Sequence, residues 1–377
     1  MTTSPAALDQ VRDHVGRELA SFLGRQRVAL ADLDGDLVPV LDAAAALLAG
    51  GKRLRPAFCY WGWRAAGGAG LDDDPAAGDR ILTAAAALEL LHASALVHDD
   101  VIDGSETRRG QPAVHRAFAA RHAAGRWRGS AGSFGAGAAI LLGDLLLAWT
   151  GELLRASGLP AAALRRGQPV LDAMRTELIA GQYLDLLGQA AGTGTVESAL
   201  RVVRYKSAKY TVERPLLLGA ALAAAPGGPD DDAADEAFIT DSPLAAACTS
   251  YGVPLGVAFQ LRDDVLGVFG DPAQTGKPVT GDLREGKRTV LVAIAMSRAS
   301  AAQASVLHRL LGDPRLDDSG AAEVRAVLTE TGALAECEQL IQSGVRDALA
   351  ALADAPFTDP AKAALAELAG TATDRAG

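Results

Sequence analysis

The sequence predicts an all-α fold, and three observations carry that expectation. Ala- and Leu-rich stretches place apolar residues at the helical period along most of the chain. Short Gly/Pro breaks divide them, and no stretch alternates apolar with polar residues as a half-buried strand does. Aromatic residues make up only 5%, which suits closely packed helices better than a β sandwich. Hydrophobic residues make up 49% of the 377, enough for a sizeable core. No linker divides compositionally different halves and no repeat is visible, so residues 1–377 are expected to form one domain.

Taken in order, residues 1–20 are expected as a partly ordered N-terminal extension overlapping a helix at 6–22, with a second helix at 30–49. Past Gly50-Gly51, a helix at 54–66 precedes a polar loop, 67–75, whose Asp run sits among Gly and Pro as a solvated loop does. The helix at 77–103 is apolar on nearly all sides until its last turns, the pattern of a helix in the middle of a bundle. Helices at 112–122 and 134–157 follow. Pro160 suits the first turn of the next, 160–189, and Thr195 can cap one at 195–224. A variable acidic loop, 226–243, leads to a helix at 242–269. The remainder reads as helices at 288–299, 302–312, 321–332, 334–353 and near 360–369.

Charge narrows the function classes. Lys and Arg number 36 against 46 Asp and Glu, a formal net charge of −10. An acidic chain with no basic tract argues against a nucleic-acid binder, and an anionic substrate must then be met by local cations. Cys59, Cys248 and Cys337 have no metal-like spacing and are expected as buried thiols in a reducing compartment. Met1 to Asp9 lacks the basic and apolar regions of a signal peptide. The most apolar stretch, Ile81 to Val97, carries Glu89 and His92 and runs into Asp99-Asp100, which is wrong for a membrane span. A cytoplasmic protein without a transmembrane segment is the expectation.

Two aspartate clusters point to chemistry. The first is His98-Asp99-Asp100-Val101-Ile102-Asp103, followed by Arg108-Arg109. The second is Gln260-Leu261-Arg262-Asp263-Asp264, with Asp271 and Gly276-Lys277 behind it. Asp99 and Asp103 stand at i and i+4 on one helix face, as do Gln260 and Asp264 with Asp263 between them. Carboxylates at a helix C-terminus oppose the macrodipole and call for a cation. Mg²⁺ typically takes one or two protein carboxylates and completes its shell with water and phosphate oxygens, while Arg and Lys neutralise the remaining phosphate charge. Two such clusters are what a protein needs to hold a diphosphate. The scarce lysines agree: Lys52, Lys206, Lys209, Lys277 and Lys287 all fall in motif-like contexts, and only Lys362 does not.

These residues resemble the trans-isoprenyl diphosphate synthases, the polyprenyl synthetase family, from about residue 45 to the C-terminus. The resemblance rests on Gly50-Gly51-Lys52-Arg53-Leu54-Arg55-Pro56, His92 to Arg109, Lys206-Ser207, Phe259 to Asp264, Gly276-Lys277 and Asp282 to Thr289. The run from Gly267 to Thr289 is similar to actinobacterial short-chain members, among them geranylgeranyl diphosphate synthases. The resemblance implies a helical bundle around a central cavity, Mg²⁺ dependence and a homodimer. It implies that Lys52, Arg55 and His92, with Arg109, hold the diphosphate of isopentenyl diphosphate. Asp99 and Asp103, with Asp100 beside them, would bind Mg²⁺ bridging the allylic diphosphate (dimethylallyl, geranyl or farnesyl). Asp263, with Asp264, would lead the second metal cluster. Arg108, Lys206, Ser207, Gln260, Lys277 and Lys287 would surround the allylic group. Two departures stand out: Gly267 occupies the third acidic position of the second cluster, and Ser207 stands where the family usually has Thr.

The implied chemistry needs no protein nucleophile. An allylic diphosphate ionises, the isopentenyl double bond attacks the cation, and a proton is lost. A terpene cyclase would need no second diphosphate site, against which Lys52, Arg55, His92 and Arg109 speak. A non-catalytic partner subunit commonly loses metal ligands, whereas the first cluster is intact. Product length is expected to be set along helix 77–103 upstream of Asp99. Ser94 and Ala95 are small where members that stop at fifteen carbons commonly carry an aromatic, and Leu91 with Leu88 would form the floor. Geranylgeranyl diphosphate is the favoured product, with farnesyl or a longer polyprenyl diphosphate as alternatives.

Overall fold

The computed structural model describes residues 5–192, 194–224, 242–270 and 281–373. It is helical almost throughout. Helix α1 is Pro5–Ala31, α2 Val38–Leu48, α3 Leu54–Ala65, α4 Pro75–Ile102, α5 Val114–Ala124, α6 Ala131–Arg155, α7 Ala161–Ala191 and α8 Val196–Val202. An eleven-residue π-helix, Val203–Glu213, joins α8 to α9, Arg214–Ala223. Then come α10 Pro243–Phe269, α11 Gly281–Arg284, α12 Val290–Arg298, α13 Ala301–Leu310, α14 Asp318–Glu330, α15 Ala333–Asp354 and α16 Asp359–Thr373.

Helix α4 sits in the middle, as its apolar circumference requires. Leu82, Leu88, Leu90 and Val97 are fully buried on it, and α1, α3 and α6 pack around it. Within the segment expected as a partly ordered extension, Val11, Val15 and Leu19 of α1 are buried in this core, and Phe22 follows them. Asp74 caps α4 with its side chain on the amides of Ala76 and Ala77, ahead of Pro75 at the first position. A second apolar cluster lies around α12 and α14, with α10 and α15 contributing to both regions.

Several sequence expectations need correction. The helix expected at 30–49 is interrupted, because Asp34 accepts a hydrogen bond from the amide of Asp36 and starts a short 3-10 turn. The helix expected at 195–224 is three pieces, with the π-helix in the middle. A two-residue β hairpin, Thr107–Arg108 with Gln111–Pro112, is too short to leave an alternating pattern. Most of the 226–243 loop lies outside the described residues, and so do Asp271, Gly276 and Lys277. Among the described residues three helices, α4, α6 and α10, are long and apolar enough by length and composition to cross a membrane. They differ in burial: the most apolar window is 72% buried in α4, 50% in α10 and only 28% in α6.

Candidate active site

The first acidic cluster ends α4, and the π-helix is brought against it by missing side chains. A Cβ on Gly181 of α7 would lie 2.5 Å from the Lys206 backbone nitrogen, and one on Gly256 of α10 would lie 2.6 Å from Cα of Ala208. Glycine at both positions lets the π-helix pack between α7 and α10. Such irregular turns recur at functional sites. Lys206 thereby places its ammonium 3.2 Å from Oδ1 of Asp99 and 2.6 Å from Oδ2 of Asp185. Gln182 donates to the same Asp99 oxygen at 2.9 Å. Gln182 and Asp185, at i and i+3 on one face of α7, escaped the sequence reading. Their spacing was the available signal.

Asp103 faces Lys287, whose Nζ is 3.5 Å from its Oδ2. Lys287 also lies 2.7 Å from Glu285 and 3.4 Å from Asp282. Ser105, beyond Asp103, donates to Glu285 at 3.3 Å. Segment 281–288 thus closes over the end of α4. Burial opposes ionisation of Asp99, but Lys206 and Lys287 outweigh it and hold the carboxyl below its ordinary range. Asp103, buried beside the Asp99 anion, is pushed up to about 6. Lys287 is held well above the ordinary ammonium range despite its burial, because Asp282, Glu285, Asp103 and Asp99 surround it.

Asp100 is paired with Arg108. It is fully buried and its carboxylate receives Arg108, with Nε 3.0 Å and 3.2 Å from the two oxygens and Nη2 also bonded. The pair holds Arg108 beside Asp99, 3.9 Å away. Gln260, half-buried, donates to Asp264 one turn on along α10 at 2.7 Å. Burial pushes Asp264 up to about 8, with the neighbouring Asp263 and Asp282 charges adding to the effect. Asp263 precedes it on α10. Ser207 is half-buried beside Lys206.

A cationic wall lies at the N-terminus of α3. Gly50, Gly51 and Arg53 all have positive φ, 73°, 97° and 53°. Arg53, the non-glycine member, is held in that uncommon conformation by hydrogen bonds to Glu89 of α4, at 2.5 Å, and to the Leu48 carbonyl. Lys52 and Arg55 flank it. Arg55 lies 4.3 Å over the Tyr210 ring and donates to Thr211 at 2.9 Å. The Tyr210 hydroxyl is 3.4 Å from Nδ1 of His92. Arg109 packs over Gly51, whose Cβ would be 3.6 Å from its Nη2. Burial first, and then Arg55, Arg109, Arg108 and Arg53, push the His92 pKa well below 6.5, so the imidazole is neutral at pH 7. Tyr210 and Thr211 were not foreseen, because only the fold brings the π-helix to this wall. Lys209 faces away from it, in a network with Glu177 and Arg214.

The donor set fits a hard divalent cation. Asp99, Asp103 and Asp263 offer carboxylate oxygens, and among the described residues the buried Oδ2 of Asp103 has the Lys287 ammonium at 3.5 Å but no hydrogen bond. Among the described residues no three such groups already converge as a cage. Ser94, Leu91 and Leu88 are buried on α4 upstream of Asp99, with Ala95 half-buried. All three cysteines are buried and unpaired.

The polyprenyl synthetase family model matches residues 39–330. The chain is 32% identical over 352 residues to the geranylgeranyl diphosphate synthase of Mycobacterium tuberculosis, covering 93% of this chain and 89% of that one. It is 31% identical over 314 residues to the geranylfarnesyl diphosphate synthase of Aeropyrum pernix, covering 82% and 86%. Among solved structures, the geranylgeranyl pyrophosphate synthase of Corynebacterium glutamicum, complexed with isoprenyl diphosphate and magnesium, superposes with a TM-score of 0.88. It is 40% identical, with 98% of this chain and 99% of that one covered.

Proposed function

The chain belongs to the polyprenyl synthetase family, and on that premise we propose that it is a trans-prenyltransferase condensing isopentenyl diphosphate with allylic diphosphates to geranylgeranyl diphosphate. The ion pair between Lys287 and Asp103 carries the site reading, because it ties the segment behind the second cluster to the first cluster. One site between the two is the arrangement a single allylic diphosphate needs.

In this reading Asp99, Asp103 and Asp263 hold Mg²⁺, which when bound supplies Lewis-acid neutralisation of the diphosphate leaving group. Lys206, Lys287 and Arg108 stabilise the charge that grows on that group as the allylic carbon–oxygen bond breaks. Lys277, outside the described residues, is assigned to the same group on the family resemblance. Lys52, Arg55, His92 and Arg109 hold the isopentenyl diphosphate so that its double bond meets the carbocation, after which a proton is lost. The apolar residues of α4 keep water from the cation. Small side chains at Ser94 and Ala95 leave room for a chain longer than fifteen carbons, and the floor lies at Leu91 and Leu88.

Helix α6 exposes Phe134 and Leu141, seven residues apart on one face, with Leu141 70% exposed. Helix α7 exposes Ile179, Tyr183, Leu186 and Leu187 at helical spacing. We assign these faces to a homodimer interface, which also accounts for the low burial of α6. The single polyprenyl synthetase domain runs through both apolar clusters, and the buried unpaired thiols suit the cytoplasm.

Incubating the purified protein with Mg²⁺, isopentenyl diphosphate and each allylic diphosphate, with product length resolved, tests the proposal. A twenty-carbon diphosphate is expected. Cyclised hydrocarbon would instead mark a terpene cyclase, and no turnover a partner subunit.

A further inference from the structure

The two acidic clusters are not built alike. In the first, Asp99 has a carboxylate one turn on, Asp103, on the same helix face. In the second, the residue one turn beyond Asp263 is Gly267. The space over Gly267 is nonetheless filled by a carboxylate from elsewhere in the chain. A Cβ on Gly267 would stand 2.0 Å from Oδ2 of Asp282 and 3.1 Å from its Cγ. Asp282 is fixed there by its own short turn. Leu283 beside it is buried, 1% exposed, and the amide of Lys287 donates to the Asp282 carbonyl at 3.2 Å. Its other oxygen, Oδ1, lies 3.4 Å from Lys287 Nζ, the ammonium that also reaches Asp103. One carboxylate oxygen is therefore turned to the lysine at the centre of the site, and the other to the face of α10 that carries Asp263.

We propose that Asp282 takes the place of the carboxylate missing at Gly267 and completes the divalent-cation site led by Asp263. The absent side chain on α10 and the inserted Asp282 are two halves of one exchange. Glycine is needed at 267 because any Cβ would displace Asp282, and Asp282 is needed because glycine brings no oxygen. The inference rests on the prenyltransferase reading, since it takes the cation to be one that binds with a diphosphate.

The test uses Mn²⁺ as an electron-paramagnetic probe and inorganic pyrophosphate, with the full chain and no turnover. Binding of pyrophosphate is measured with Mn²⁺ and, separately, with EDTA. D282N, which keeps the shape, and D282A should each weaken Mn²⁺-dependent binding by about 10- to 100-fold. Metal-free pyrophosphate binding should stay level or tighten, since a negative charge has gone. The double variant G267D/D282A, with the carboxylate moved onto α10, should recover much of the loss. Circular dichroism melting of D282N without metal checks that the fold survives. Wild-type Mn²⁺ binding by D282N would overturn the proposal. So would a parallel fall with and without metal, which would make Asp282 only a prop for Lys287, or a double variant no better than D282A. If the unaltered protein fails to bind Mn²⁺ with pyrophosphate at all, the prenyltransferase reading falls with it.

Discussion

Lys287 and Asp103, 184 positions apart in the sequence, meet with Nζ 3.5 Å from Oδ2. The side chain of Asp103 is only 3% exposed and that of Lys287 23%, so little water screens the pair. Removing the lysine should therefore be felt on the allylic diphosphate. Lys287→Ala is expected to raise the Michaelis constant for the allylic substrate more than that for isopentenyl diphosphate, and Lys52→Ala to do the reverse. Steady-state kinetics with each substrate varied in turn would show it, and equal effects on both substrates would sink the two-site assignment.

The Arg53–Glu89 pair is a structural anchor under the cationic wall, with both side chains 5% exposed. Glu89→Leu strands a buried guanidinium, and breaking a buried pair from one side costs about 3–5 kcal/mol. The unfolding midpoint in urea should drop accordingly. A variant as stable as the parent would mean that Arg53 finds another partner.

His92 gives a pH dependence whose sign is fixed. Its folded pKa lies below 6.5, through burial first and the arginines second. The unfolded chain therefore takes up a proton at a pH where the folded chain does not. The contribution of neutral His92 to stability is complete above the unfolded value and is lost as pH falls from about 6.5 towards the depressed folded value. His92→Asn should flatten the fall of folding stability between about pH 7 and 5. An unchanged slope in urea titrations would place the proton uptake on other groups.

Product length is tested at Ser94, 3% exposed on α4. One helical turn rises ~5.4 Å, close to one extended isoprene unit. Ser94→Phe should shorten the dominant product by one unit on chromatography. An unchanged product would put the floor on a facing helix.

For assembly, sedimentation at micromolar concentration should give a dimer. Leu141→Asp, placing a charge on the exposed face of α6, should shift it to monomer. A parent protein that sediments as a monomer would contradict the interface.

Much of the fold was legible because apolar residues at period 3.6 report helices wherever they face a core, and α4 is the clearest case. The break of 195–224 was not legible, since Val203 to Glu213 has a composition that serves a π-helix and an α-helix alike. Within the site, Lys206 lies against Asp99 and Lys287 against Asp103. Asp100 is turned to Arg108, a choice of rotamer and packing that spacing along a helix cannot reveal. Gln182, Asp185 and Tyr210 reach the site from helices that only the tertiary fold brings near, and Asp282 fills a space defined by a missing side chain.

Under the proposed function both acidic clusters serve one reaction. Turnover of Asp99→Ala and of Asp263→Ala, measured with saturating Mg²⁺ and both substrates on protein shown by circular dichroism to be folded, tests it directly. Each should fall by at least ~10²–10³-fold, the scale on which a charge-stabilising group acts in a transition state. Near-normal turnover in either variant would reduce that cluster to a solvated helix end and contradict the account.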